Sequence, residues 1–214
     1  MPSLRALVLD LGEVLVRSQP PELVQRMAEI AAVPLPALQA AYWAHRDEYD
    51  RVGSAQRYWD HVLRDAHSPL SPAAREAARP RLCALDAESW TQYREEVWEL
   101  AARFRTDGRR TAMLSNCGPE VIDRVRAQRD VTRYFDAMVI SWEVGAVKPE
   151  PAIYRTALER LGIAPEEALF VDDRAVNVAG AEAVGMQAML FEGDASVPAL
   201  RARIAALVEA EPVR

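Results

Sequence analysis

The sequence predicts an α/β fold: a parallel sheet covered by helices on both faces, with an α-helical cap inserted after the first strand. Three observations carry this expectation. Beyond Asp107-Gly108, short apolar runs alternate with helical segments, the pattern of repeated βα units. Before it, one apolar run is followed by a long stretch of helical texture without a convincing strand. The chain has 214 residues, 50% hydrophobic and 27% charged, which suits one large domain or a core with a modest insertion.

Each element follows from local pattern. Ala6 to Leu9 is an apolar run ending in Asp10 and reads as a buried strand. Pro21 to about Phe104 reads as helices, punctuated by Pro34, Pro36, Gly53, Ser68-Pro69, Ser71-Pro72 and Pro80. Thr111 to Leu114, Ala137 to Ile140, Ala168 to Val171 and Gln187 to Phe191 read as strands. Pro119 to Gln128, Pro151 to Leu161, Ala175 to Val184 and Val197 to Val208 read as the helices between and after them. The first strand joins the same sheet. The expected division is therefore a Rossmann-like core of residues 1–16 and 91–214 and a helical cap of residues 17–90.

Composition excludes several functions. The chain carries 26 basic and 32 acidic residues, a net charge of −6, so a nucleic-acid partner is not expected. No apolar run approaches the roughly 18 residues of a membrane span. Asp10 and Glu13 interrupt the apolar stretch after Arg5 and no small-residue cleavage site follows. Met1 to Val16 therefore reads as mature structure of a cytoplasmic protein. Cys83 and Cys117 make no disulfide framework, and His45, His61 and His67 form no HxxxH pair, which sets a histidine-based zinc site aside. No GxGxxG follows the first strand, against a dinucleotide site.

In open α/β sheets, ligands bind outside the carboxyl ends of the strands. Those ends carry Asp10-Leu11-Gly12-Glu13, Ser115-Asn116-Cys117-Gly118, Ser141 with a loop to Lys148-Pro149, and Asp172-Asp173. Singly, each has a plain structural reading as a turn former, a helix cap or a complement to a helix dipole. Together they make a constellation. Three clustered aspartates repel one another unless a cation lies among them, and an all-oxygen set suits Mg²⁺. Ser115 and N–H groups at a helix start offer an anion cradle. Lys148 offers a mobile positive charge, and Asp10 a carboxylate nucleophile. These residue types point to phosphoryl transfer. A receiver-type signalling domain is excluded, because there the acidic pair follows the first strand rather than the fourth.

The motifs resemble those of the haloacid dehalogenase superfamily of hydrolases, in the branch with a helical cap after the first strand. The match runs through Val8-Leu9-Asp10-Leu11-Gly12-Glu13-Val14-Leu15, Met113-Leu114-Ser115-Asn116, Gly145-Ala146-Val147-Lys148-Pro149-Glu150-Pro151 with Ile153-Tyr154, and Phe170-Val171-Asp172-Asp173 with Asn177, Gly180-Ala181 and Gly185-Met186. The resemblance implies Asp10 as nucleophile and metal ligand. It implies Ser115 and the Asn116 backbone as holders of the phosphoryl oxygens, and Lys148 as the group that neutralises charge and orients Asp10. Asp173 would be a metal ligand with Asp172 beside it, Gly12 would give Mg²⁺ its backbone carbonyl, and Asn177 would pin the fourth loop.

One departure matters. The family's phosphatases usually carry an aspartate two residues after the nucleophile as general acid, where this chain has Gly12. A general acid is typically worth about 10²–10⁴-fold, so substrates whose leaving group needs little protonation should suffer least. Glu13, His45 or Asp47 are candidate substitutes. The expected function is a Mg²⁺-dependent phosphatase acting on a small phosphorylated metabolite through an aspartyl-phosphate, as a monomer or homodimer. Two rivals remain: a 2-haloacid dehalogenase, which also lacks that aspartate but needs no acidic pair, and a catalytically weak phosphate-binding or regulatory protein.

The insertion is most decorated from Tyr42 to Gly53. On one continuous helix, Trp43, Arg46 and Asp50 would share a face. We expect Arg46 and Asp50 to face the substrate, with Arg46 binding it, and Tyr42, Trp43 and Tyr49 to face the core. Tyr58, Trp59, Trp90, Tyr93 and Trp98 read as core, and Cys117 as a buried, inert thiol.

Overall fold

The computed structural model describes residues 4–106 and 108–209. Five parallel strands form one sheet: β1 (Ala6–Leu9), β2 (Arg110–Ser115), β3 (Ala137–Ile140), β4 (Ala168–Asp172) and β5 (Gln187–Leu190), in the order β3-β2-β1-β4-β5. The order reverses at β1, so β1 and its two neighbours frame the crevice where ligands bind in such sheets. Pairing of Leu9 with both Met113 and Val171 carries Asp10 to the sheet edge between β2 and β4. The Asp10 N–H donates to the Val171 carbonyl at 3.0 Å.

Side-chain alternation builds two cores from the same strands. Leu7, Leu9, Met113, Leu169 and Val171 face one layer with Trp98, Phe135 and Phe191. Ala6, Val8, Ala112, Leu114 and Phe170 face the other with Tyr154.

Between β1 and β2 lie α1 (Pro21–Ala31), α2 (Leu35–Ala44), α3 (Arg46–Val52), α4 (Ala55–Asp65), α5 (Pro72–Ser89) and α6 (Glu95–Thr106). The first five pack around a third apolar cluster that includes Met27, Leu38, Tyr58, Trp59, Leu63 and Leu82. The chain leaves the sheet at Val16 and returns at Tyr93 side by side, through one antiparallel bridge. Arg17 N–H also donates to the Gln92 carbonyl at 2.7 Å there. Only α6 of the six joins the sheet's own core, through Val97, Trp98, Ala101 and Phe104.

The remaining helices are α7 (Pro119–Gln128), α8 (Ser141–Val144), α9 (Pro151–Leu161), α10 (Ala175–Ala183) and α11 (Ser196–Glu209). Where sequence and structure differ at element ends, the site is affected. Ser115 and Asp172 are the last residues of β2 and β4 rather than loop residues, so strand pairing fixes their backbones.

The decorated segment is not one helix. It breaks at His45 (φ −110°, ψ 2°) into α2 and α3, and α3 ends at Gly53, whose φ of 71° suits a residue without Cβ. Space matters there as well, since a Cβ at Gly53 would lie 3.2 Å from the Trp142 ring.

Candidate active site

A cavity of about 730 Å³ separates the carboxyl edge of the sheet from the helical bundle. Its floor is Asp10, Gly12, Ser115, Asn116, Lys148 and Asp173, and Arg46, Asp47, Asp50, Trp43 and Trp90 line it from the other side.

Lys148 organises the floor. Its Nζ is buried and lies 2.8 Å from Asp10 Oδ1, 2.6 Å from Asp172 Oδ2 and 3.1 Å from the Leu114 carbonyl. The mobile cation expected from the sequence is thus a fixed one: three acceptors hold it, and no rotamer freedom is left. Its backbone is fixed as well. Lys148 N–H donates to Asn116 Oδ1 at 2.8 Å, and Asn116 Nδ2 donates to the Lys148 carbonyl at 3.0 Å. Asn116 spends its side chain on this pairing, which ties the β2 end to the Lys148 loop.

The acidic groups divide the labour. Asp10 Oδ1 accepts from Leu11 N–H at 2.7 Å. Both Asp172 oxygens are engaged: Oδ2 by Lys148, and Oδ1 by Asn177 Nδ2 and Arg174 N–H, each at 2.9 Å. Asn177 therefore pins the fourth loop, and its own carbonyl accepts from Tyr154 Oη at 2.8 Å. One oxygen from each of Asp10, Asp172 and Asp173 lies within 4.8 Å of the others. Burial pushes Asp10 well above the usual carboxylate range, against the pull of Lys148. Burial and the neighbouring Asp172 carboxylate push Asp173 up to about 6. Asp172, despite burial, is held low by Lys148. Burial opposes the charge on Lys148, but Asp10 and Asp172 hold its ammonium above the usual range. Three carboxylates face one ammonium, so the oxygen-only donor set is electrostatically short of positive charge and fits a hard divalent cation.

The loop after Asp10 is clamped from a distance. Glu13 adopts a left-handed φ of 56°. Arg94 Nη1 donates to the carbonyls of Glu13, Val14 and Val16 at 2.6, 2.8 and 3.2 Å, and Trp98 Nε1 donates to the Leu15 carbonyl at 2.9 Å. Sequence reasoning missed Arg94, because nothing local links it to a loop some eighty residues upstream.

On the bundle side the expectations change. Arg46 does line the cavity, but its guanidinium is buried and engaged. It pairs with Asp50 at 2.9 Å and Asp86 at 3.2 Å and donates to Tyr42 Oη at 2.6 Å. It also lies 5.3 Å from the centroids of the Tyr42 and Tyr49 rings. It serves as the hub of a buried network rather than a free anion receptor. Burial and the Asp86 carboxylate outweigh Arg46 and push Asp50 up to about 6.

Tyr42 and Tyr49 are buried as expected, whereas Trp43 is 54% exposed. Trp90 is only partly buried and also reaches the cavity. Glu13 and Asp47 line the cavity. His45 instead pairs with Asp65 at 2.7 Å and is not among the lining residues. Cys117 is buried and its thiol is pushed up to about 12 by burial, so it is inert.

The fold and this edge define a class: an α/β protein with a parallel sheet, a buried aspartate at the end of its central strand and a buried lysine beside it. Residues 4–185 match the haloacid dehalogenase-like hydrolase family, and the chain belongs to that family. Among its relatives is a phosphoserine phosphatase of Thermus thermophilus, 36% identical over 95 residues, covering 44% of this chain and 38% of that protein. Another is (S)-2-haloacid dehalogenase 1 of a Pseudomonas species, 32% identical over 93 residues, covering 44% of this chain and 40% of that protein. The matches span less than half the length of these curated relatives. A haloacid dehalogenase family enzyme of Bacteroides thetaiotaomicron, solved with magnesium and inorganic phosphate, has the same fold. Its TM-score is 0.66 at 20% identity, covering 89% of this chain and 96% of that one. Among the described residues, no helix is long and apolar enough to cross a membrane.

Proposed function

We propose that this chain is a Mg²⁺-dependent phosphatase that hydrolyses a small phosphorylated metabolite through an aspartyl-phosphate on Asp10. The observation that carries this reading is the Lys148 ammonium bridging Asp10 and Asp172, with Asp173 free beside them. Asp10, Asp173 and the Gly12 carbonyl would hold the ion, with Asp172 completing the acidic set. When bound, Mg²⁺ supplies positive charge to the phosphoryl oxygens.

Asp10 attacks phosphorus through the oxygen that Lys148 leaves free, the P–O bond to the substrate's alcohol breaks, and the leaving oxygen takes its proton from solvent water. Lys148 orients the nucleophile and favours its ionised form against burial, and Ser115 and the Asn116 N–H hold the equatorial oxygens. Water then attacks phosphorus, releasing phosphate and regenerating Asp10. Residues 17–90 act as the cap that covers the reacting centre, and the Tyr42–Arg46–Asp50–Asp86 network keeps its inner face rigid. The magnesium and phosphate in the Bacteroides enzyme, and the phosphoserine phosphatase relative, support this reading.

The test is hydrolysis of p-nitrophenyl phosphate with and without Mg²⁺ on wild type and Asp10→Asn. We expect Mg²⁺-dependent turnover that Asp10→Asn abolishes with its circular dichroism unchanged. Wild-type turnover in Asp10→Asn would sink the mechanism. Gly12 and the dehalogenase relative favour a second reading, a 2-haloacid dehalogenase. Metal-independent halide release from 2-haloacids, with no phosphatase activity, would select it.

A further inference from the structure

We propose that Trp43 and Trp90 form an aromatic subsite for the leaving group, so that the preferred substrates are phosphate monoesters of phenols or enols. The proposal rests on the phosphatase reading and names the substrate class it leaves open. Trp43 is the most exposed of the large hydrophobic side chains among the described residues, and it lines the cavity. A half-bare indole on a cavity wall is the kind of surface an apolar ligand covers. The Trp43 ring stands edge-on to Trp90, centroids 6.3 Å apart and planes 83° to one another.

Trp90 brings this pair to the reacting centre. A Cβ placed on Gly12 would find the Trp90 ring carbon Cζ3 as its nearest neighbour, at 3.8 Å. Trp90 Nε1 is already donating to Tyr42 Oη at 3.1 Å, so the part of Trp90 above Gly12 is hydrocarbon. Val24 and Leu35 continue the apolar wall. Of the polar groups facing it from the bundle, Arg46 is spent on Asp50, Asp86 and Tyr42, and Gln39 and Asp47 lie at its exposed margin. A polyol pressed against the indole ring faces would lose water without gaining partners there, whereas a planar ring gains area and edge-to-face contact.

The chemistry agrees with the wall. The P–O bond breaks as the Asp10–phosphorus bond forms, and the electron pair stays on the leaving oxygen. A phenolate or enolate holds that charge by delocalisation and takes its proton afterwards from solvent water, so no carboxylic acid is required at position 12. A second water then cleaves the aspartyl-phosphate and gives its proton to solvent.

The experiment pairs binding with turnover. Phenylphosphonate and methylphosphonate, which cannot be hydrolysed, are titrated calorimetrically into the Mg²⁺-loaded wild type, Trp43→Ala and Trp43→Phe. We expect wild type to prefer the phenyl ligand by roughly ten-fold or more. Trp43→Ala should bring the ratio toward one, and Trp43→Phe should restore most of it. Equal affinities in wild type, or an undiminished preference in Trp43→Ala, would overturn the subsite. In parallel, kcat/KM for phenyl phosphate should exceed that for glycerol 2-phosphate, and the reverse order also overturns the proposal. Absence of turnover with every phosphate ester would defeat the phosphatase reading instead, and the phosphonate ratio would still decide the subsite.

Discussion

Lys148 has no surplus hydrogen-bonding capacity: its three donors meet Asp10, Asp172 and the Leu114 carbonyl. Removing the ammonium leaves two buried carboxylates facing each other. Lys148→Met should abolish turnover and lower unfolding free energy by about 3–5 kcal/mol, read from urea midpoints. Gly12 is the reverse case, a position with room. Its φ of −61° and ψ of 134° suit any residue, and the nearest atom to an added Cβ is 3.8 Å away. Gly12→Asp should therefore fold, and it should raise kcat for alkyl phosphates by up to roughly 10²-fold where the missing acid limits the rate. An unchanged rate would assign that role to Glu13 or Asp47. Asp50 carries a pH signature. Its folded pKa of about 6 lies above the unfolded value of 3.8, so the folded state holds the extra proton between them. Through this group, stability rises as pH falls from 7 toward 4 and is lost as pH rises through 6. Wild type should gain on Asp50→Asn by about 1–3 kcal/mol over that window, measured as the difference in urea midpoints at the two ends.

At the scale of elements, close packing puts the fourth loop where it is needed. A Cβ at Gly180 of α10 would lie 2.8 Å from Pro149 Cβ, 2.9 Å from Tyr154 Oη and 3.0 Å from the Pro149 carbonyl. These neighbours are a proline ring atom, a backbone carbonyl and a buried hydroxyl held by the Asn177 carbonyl, with little room to yield, and Pro149 adjoins Lys148. Gly180→Ala should cost about 1–3 kcal/mol, seen as a lower Tm, and should reduce kcat through displaced Lys148. The strands and the sheet-covering helices were legible in the sequence, because apolar runs of four to six residues alternate with amphipathic segments bounded by Pro and Gly. The break at His45 was not. Trp43, Arg46 and Asp50 keep helical spacing across it, and only the packing of α3 against the sheet side shows that two helices meet there. Tyr49 Oη reaches Glu120, Ser141 Oγ donates to the Asp50 carbonyl, and Arg51 pairs with Glu150.

At the scale of the whole molecule, the bundle and the sheet have separate apolar cores and meet around the cavity. An ion held between Asp10 and Asp173 would bind the folded chain and not the unfolded one, so on the proposed function Mg²⁺ stabilises the fold. At one hundred times its Kd the gain is about 2.7 kcal/mol. Thermal melts should show Tm rising with Mg²⁺ in wild type and not in Asp173→Asn. A Tm indifferent to Mg²⁺ at millimolar concentrations would count against the metal site.

The sequence alone determined a parallel sheet, the succession of strands and helices along the chain and the residues at the sheet's carboxyl edge, while the order of strands within the sheet came from the structure. Strand period and strand ends are local properties, and the crossover rule for parallel sheets turns them into one shared edge. It also marked Gly12 as the position where this chain departs from its family's phosphatases. Tertiary structure alone decided how charged and aromatic groups are spent. Arg46 became a buried hub because Asp50 and Asp86 reach it from α3 and α5. Trp43 became exposed because α2 turns Leu38, Ala41 and Tyr42 into the bundle core and leaves Trp43 on the cavity side, and Arg94 became the clamp of the loop after Asp10 through contacts with no sequence proximity. Such partners are chosen by long-range packing, which spacing along the chain does not encode.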